Sequence, residues 1–534
     1  MGIHATYKSE KVEKKFNVTG LCVPSKHYMA DISGKLAEIM LSVEQGEYFT
    51  INRARQYGKT TTLALLEKQL PKEYSVISVS FEGVDDSVFE TPEKFCQGIL
   101  NICSKYFRER NLPGSETWID SSVTTFDLLD DFLTKTCQDK KIVLMIDEVD
   151  KVSNNFIFLK FLGMLRDKYL KRSKDIGATF QSVILAGVYD IKNLKVKLVQ
   201  SGHYQLQDGE KRINSPWNIA IDFNVDMSLS EKEIASMLVE YEKDHKTGMD
   251  VEVMAGKIRT YTNGYPYLVS RLCQKIDLKL NKDWTLKGLK EAVKLILIEQ
   301  STLFDDLIKN VENNDELNEV LKRCILNGEQ IPFNVDNYAI RTGLMFGIFL
   351  RKGVYVSIHN EIFELRLYNY YISQKSSQNK EKVPATLLSY VVEKGKFNME
   401  LAIKKFMQHY YELYHKSRES FLEDECRLLF LTYLRPLING NGFYHIEAET
   451  RNLERTDVIV DFDDEQFIVE LKVWKGEASH EKALEQIANY LESKNKSEGY
   501  LLTFDFRKRD NVGQPQMKWV EYKGKRIFDC MVGV

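Results

Sequence analysis

Residues 48–63, YFTINRARQYGKTTTL, are the stretch from which the architecture of this chain can be read. YFTIN is a short run rich in β-formers, and TTTLALLEKQL continues as a helical pattern. Between them stand Arg53, Ala54, Arg55, Gln56, Tyr57, Gly58, Lys59 and Thr60. A turn from strand into helix gathers backbone N–H groups and the positive end of the helix dipole, a setting that favours phosphate. The phosphate-loop pattern is GxxxxGK[ST]. Arg53 occupies the place of its first glycine, whereas Gly58, Lys59 and Thr60 keep the rest. A lysine in that place reaches the outer phosphates of ATP, and the hydroxyl after it ligates Mg²⁺. The expected nucleotide contacts are therefore residues 53 to 61, Thr61 closing the set.

Outward from this stretch, YFTINRA, YSVISVSF, KIVLMIDEV, QSVILAGV and NIAIDF read as strands, with helical patterns between them. That alternation predicts an α/β fold with a parallel, helix-covered sheet. KIVLMIDEVDK is an apolar strand ending in Asp147-Glu148. Asp147 is expected to hold Mg²⁺ and Glu148 to orient or deprotonate the attacking water. A lone Asp-Glu at a strand end is equally a helix cap or a solvated turn. Two motifs in the right order, each on its expected element, favour the nucleotide reading. In SVILAGVYD, Asp190 reads either as a polar sensor or as a loop acid. Arg166, Arg172 and Arg212 stand open as arginine fingers or as ordinary surface charge.

Near the other end, residues 455–474 read RTDVIVDFDDEQFIVELKVW, two strands joined by a polar turn. Alternation places Val458, Val460 and Phe462 with Val469, Leu471 and Val473 on apolar faces. The opposite faces carry Asp457 on one strand and Glu470 with Lys472 on the other. Two carboxylates and an ammonium over an apolar floor suit Mg²⁺ or Mn²⁺ and a phosphodiester. Asp457 and Glu470 would bind the metal, and Lys472 would stabilise charge in the transition state. RESFLEDECRLLFLTYLRPLI upstream is helical, and its Glu425 would complete the metal set, with Glu423 the competitor. Taken alone, Glu-x-Lys on a strand is usually a solvated sheet face. Arg451, Arg455, Lys475 and the basic run 507–509 could track a phosphate backbone or simply solubilise.

The runs GLCVPSKHYMADISGKL, YFTINRARQYGKTTTL, IDEVDK and SPWNIAIDF together resemble the AAA-ATPase-like family of bacterial and mobile-element proteins. Members of that family often carry a C-terminal PD-(D/E)xK nuclease domain. The resemblance implies a P-loop ATPase core, a helical lid and a winged-helix-like segment, with an arginine-rich loop in place of the first glycine. Asn263-Gly264-Tyr265-Pro266 is similar to the Gly-x-Pro element of STAND-type and archaeal ATPases. It implies a nucleotide-sensing role for Arg271, against the plainer reading of a solvated helix face. SHEKALEQIANYLES, with Gln486 and Tyr490 one turn apart, is similar to the QxxxY variant of the PD-(D/E)xK fold, where both help the metal or substrate.

The expected organisation is a P-loop AAA-like core at 16–227, a helical lid at 228–300 and a winged-helix-like segment at 301–372. A polar linker, SQKSSQNKEKV, would fill 373–383, and a separate α/β nuclease-like domain 384–534. In the winged segment, Arg351 and Lys352 could touch DNA, or the module could pack as part of the lid. At 534 residues the chain is long enough for three or four domains of about 150 residues each. A net charge of −3 excludes a polycation, so any nucleic-acid contact must be local. Eight cysteines scattered without a CxxC pair argue against zinc and disulfides and fit a reducing cytoplasm. No apolar run is long enough to span a bilayer. Gly2 and Thr6 match a short myristoylation pattern, with no second membrane signal beside it. The expectation is a cytoplasmic ATPase, a homo-oligomer being an open possibility, whose nucleotide state gates a nuclease acting on DNA. The rival expectation is an ATPase switch or scaffold whose C-terminal fold binds nucleic acid or a partner without cutting.

Overall fold

The computed structural model describes residues 13–152, 155–188, 217, 219–221, 223, 225–325, 329–378, 391–393, 396–414, 423–438, 442–447, 456–462, 465–506 and 516–533. The chain divides into two compact units. One comprises residues 1–310, 335–350 and 359–362; the other comprises 311–334, 351–358 and 363–534. The expected winged segment thus contributes to both.

In the first unit, β1 (Tyr48–Asn52), β2 (Tyr74–Ser80), β3 (Lys141–Asp147) and β4 (Ser182–Gly187) form a parallel sheet in the order β1-β4-β3-β2. β3 and β4 are continuous apolar runs because helices cover both faces of the sheet. On one face α1 (Ser33–Glu44) and α2 (Lys59–Gln69) bury Leu36, Ile39, Val43, Leu63 and Leu66 against Phe49, Ile51, Met145 and Ile184. On the other, α3 (Pro92–Glu109), α4 (Phe126–Cys137) and α5 (Phe156–Arg172) bury Phe95, Ile99, Leu133, Phe158 and Leu162 against Ile77, Leu144 and Leu185. Helix starts follow local chemistry: Thr91, Thr125 and Asn155 each cap a free backbone N–H. The run NIAIDF, expected as a fifth strand, supplies one parallel bridge, Ile221 with Phe49.

The stretch expected as a lid holds α6 (Glu231–His245), α7 (Val251–Thr262), α8 (Pro266–Lys279) and α9 (Leu286–Ile298). Ser230 and Glu233 close a capping box on α6. Asn263 ends α7 in the left-handed conformation, and Pro266 opens α8, a stop and a start that the Asn-Gly-Tyr-Pro spelling encodes. α10 (Thr302–Glu312), α11 (Asp315–Ile325) and α12 (Tyr338–Met345) follow, then the strand pair β5 (Phe349–Lys352) and β6 (Tyr355–Ile358). α13 runs Glu361–Gln378, so the first residues of the expected linker are helical.

In the second unit, β7 (Val392–Glu393) and β8 (Lys396–Phe397) precede α14 (Met399–Tyr414) and α15 (Glu423–Ile438). β9 (Gly442–Glu447), β10 (Thr456–Phe462), β11 (Glu465–Val473), α16 (Glu477–Ser493), β12 (Glu498–Asp505), β13 (Gln516–Tyr522) and β14 (Lys525–Gly533) complete it. The sheet order is β13-β14-β12-β11-β10-β9, antiparallel from β9 to β11 and parallel between β11 and β12. α16 packs Ala483, Ile487, Ala488 and Leu491 on Ile459, Ile468, Leu501 and Ile527. Phe406 and Tyr410 of α14 meet Phe504 on the opposite face.

Candidate functional site

The 53–58 loop links β1 to α2, and its backbone carries two left-handed residues, Gln56 at φ 56° and Gly58 at φ 82°. Alternation of that kind turns successive N–H groups inward, making a cradle for an anion. Lys59 is 6% exposed, and its ammonium donates to the carbonyls of Arg53 (2.9 Å) and Ala54 (3.0 Å). Burial pulls its pKa down, opposed by the carboxylates of Asp150, Glu148 and Asp147. Thr60 donates to Asp147 Oδ2 at 2.6 Å, so the two expected Mg²⁺ ligands already stand together. The other oxygen of Asp147 accepts from the Glu148 N–H at 2.9 Å. Glu148 sits half-buried at φ 55°, and burial, then Asp147, raises its pKa against the pull of Lys59.

The rest of the loop departs from expectation. Arg53 turns away from the cradle: its guanidinium donates to Asn52 O and Val225 O, each at 2.9 Å, and lies over Phe223. Ala54 is buried where Gly347 comes so close that a Cβ there would meet its own at 2.7 Å. Arg55 pairs with Asp306 (3.1 Å), and Gln56 donates to Thr302 (2.9 Å). The Tyr57 side chain is 5% exposed and bonds Ser228 and His359, not the cradle. Thr61 accepts from Cys22 N at 3.2 Å. Arg271 is held by Glu299 (2.7 Å) and Gln274 (2.5 Å), so it is paired and not a freely solvated face. Arg172 donates to the carbonyls of Phe180, Gln181 and Gly46, a clamp between elements, not loose surface charge. Asp190 and Arg212 lie outside the described residues.

Two groups escaped the sequence reading. Asp150 accepts from Val188 N at 2.5 Å, and Gly187 is bare because a Cβ would meet Asp150 Oδ1 at 2.8 Å. His359, from the segment after β6, reaches the loop through Tyr57. The spelling IDEVDK shows Asp150 as one more acid, and nothing local marks His359 as a neighbour of residue 57.

In the second unit, Val458 pairs with Val469, which places Asp457 and Glu470 at the next position of each strand. Glu470 is wholly buried with Oε1 2.8 Å from the Lys472 ammonium. Gln486 is half-exposed, whereas Tyr490 is buried among the apolar residues of the α16 face. Glu425 lies in the first turn of α15; its side chain and that of Asp457 lie outside the described residues, as do Arg451, Arg455 and 507–509. Among the described residues no three His, Cys, Asp or Glu side chains gather closely enough to hold a metal. His480 and Asp529, which sequence reading passed over, meet at 3.1 Å. Register puts Asp529 on the same row of the sheet as Glu470, with Leu501 between.

A family of AAA-like domains matches residues 23–374. The chain belongs to that family. The AAA-like domain thus takes in the 53–60 loop, the acidic strand end and helices α6 to α9, and residues 375–534 lie beyond the match. An uncharacterized WD repeat-containing protein of Synechocystis is 23% identical over 294 residues, 52% of this chain. The chain spans only 22% of that protein's length. Among solved structures, the Walker-type ATPase of Pyrococcus abyssi aligns at 11% identity and TM-score 0.46, covering 66% of this chain and 99% of its own. The ORC2 protein of Aeropyrum pernix, in ADPNP and ADP complexes, aligns at 10% identity and TM-score 0.34, covering 65% and 94%. Among the described residues, no helix of the protein is long and apolar enough to cross a membrane.

Proposed function

We propose that the protein binds and hydrolyses ATP at the 53–60 loop, and that nucleotide state gates a metal-dependent nuclease in its C-terminal unit that acts on DNA. The observation that carries the ATPase reading is the convergence of buried Lys59, Thr60 and Asp147 at the mouth of a loop with two left-handed residues. The donor set fits a Mg²⁺-nucleotide: Thr60 and Asp147 would hold the ion, and Lys59 would exchange two carbonyls for phosphate oxygens. Mg²⁺ supplies charge neutralisation on the outer phosphates. Glu148, whose pKa burial raises, accepts the proton of the water that attacks the terminal phosphorus.

For the nuclease, support comes from the order helix, three strands, helix, strand and from the Glu470–Lys472 pair on β11. Glu470 with Asp457 and Glu425 would hold Mg²⁺ or Mn²⁺; Lys472 would face the phosphate, with Gln486 beside it. Two observations favour the rival: Tyr490 belongs to the apolar core, and buried Glu470 pairs with Lys472 on its own strand. On that reading the C-terminal fold binds nucleic acid or a partner without cutting. The test is phosphate release and oligonucleotide cleavage by the full chain, with and without ATP, for wild type, Lys59→Ala and Glu470→Ala. Lys59→Ala should lose nucleotide turnover and Glu470→Ala should lose cleavage. Unchanged hydrolysis by Lys59→Ala would refute the first assignment, and an inert wild type in Mg²⁺ and Mn²⁺ on DNA and RNA would refute the second.

A further inference from the structure

We infer that Tyr57 is a positioning residue of the phosphate loop, held in place by Ser228 at the start of the lid and by His359 beyond β6. The inference rests on the nucleotide-site reading of the 53–60 loop. A phosphate loop ordinarily owes its path to glycines, whose backbones turn without steric cost. This loop has arginine at the first of those places and holds Gln56 in the left-handed region, which strains any residue that carries a Cβ. Such a conformation persists only when its surroundings over-determine it.

Those surroundings are on the lid side. Arg55, Gln56 and Tyr57 send three consecutive side chains to Asp306, Thr302 and the Ser228–His359 pair. Tyr265 donates to the carbonyl of Arg55 at 2.6 Å, and its ring packs edge-on against that of Tyr57 at 4.6 Å. His359 is itself fixed: its N–H donates to Ile348 O at 2.8 Å, and its carbonyl accepts from Asn263 Nδ2 at 2.9 Å. The Asn360 amide lies 3.2 Å from His359 Nδ1. Donation there leaves the ring proton on Nε2, 2.9 Å from the Tyr57 oxygen, and the Tyr57 and Ser228 hydroxyls pair at 2.8 Å. The hydrogen-bonded chain links Asn360, His359, Tyr57 and Ser228, and Tyr57 directly precedes Gly58 and Lys59. Nucleotide affinity is therefore set partly by residues that never touch the nucleotide.

The test is binding of a fluorescent ADP analogue and steady-state ATP turnover by the full chain. Tyr57→Phe keeps the ring and deletes the hydroxyl. It should weaken binding about tenfold and raise KM alike, with kcat within about threefold. His359→Leu should do the same, and the double variant should lose no more than either single one, because one relay is broken only once. Ser228→Ala, combined with Tyr57→Phe, gives the same cycle should the leucine variant fail to fold. Tyr57→Phe binding within twofold of wild type, or effects that multiply in the double variant, would overturn the inference. A wild type that binds no nucleotide would instead overturn the reading beneath it.

Discussion

Acid should destabilise this protein through His359. The ring is 7% exposed, and burial, with Arg259 adding to it and Asp226 opposing, pulls its pKa down to about 4. An unfolded histidine titrates near ~6.5. As pH falls from neutrality, the unfolded chain takes the proton first, while the folded protein keeps a neutral ring. Stability present above the unfolded pKa is therefore lost as pH falls towards the folded one. Each pKa unit is ~1.36 kcal/mol, so the loss from this group is about 2 kcal/mol by pH 5 and about 3 kcal/mol by pH 4. His359→Gln keeps an amide that can bond Tyr57 but removes the titration. Urea unfolding of both proteins at a series of pH values measures the difference. Glu148, whose raised pKa acts with the opposite sign, and His27, also lowered by burial, titrate alike in both and cancel. Wild type should lose stability more steeply than His359→Gln between pH 6.5 and pH 4. Equal slopes would refute the argument.

Glu148→Gln should keep nucleotide binding and lower phosphate release at least about 100-fold, since the amide cannot accept the proton of water. Gly264→Ala should cost at least about 2 kcal/mol in urea unfolding. Its Cβ would stand 2.1 Å from Leu229 O, at a φ of +69°. Gly163→Ala, in α5 with open space around it, should gain up to about 1 kcal/mol by the same measurement.

Much of the fold was legible because it is written in short-range chemistry. The apolar runs of β3 and β4 announce burial on both faces, and Asn263-Gly264-Tyr265-Pro266 spells a helix stop and a helix start. In NIAIDF, whose composition suits a strand, Ile221 is bridged in parallel to β1, while Asn218 and Asp222 lie outside the described residues. The start of SQKSSQNKEKV misled: polar residues with reasonable helix propensity extend α13 where composition suggested a linker.

At the candidate site, the meeting of Thr60 with Asp147 follows from spacing, since a strand-to-helix turn and a strand end fix where those side chains emerge. The directions of Arg53, Tyr57 and Arg271 do not, because each is settled by a partner remote in sequence: Val225, His359 and Glu299. The same division holds at β10 and β11. Alternation alone puts Asp457, Glu470 and Lys472 on one face, yet the burial of Glu470 and its row-mate Asp529 follows from which strands and which helix pack beside it. Periodicity and motif spacing are local properties and travel with the sequence. Burial and the partners of Arg53, Tyr57 and Arg271 depend on segments tens to hundreds of residues away, and only folding brings those together.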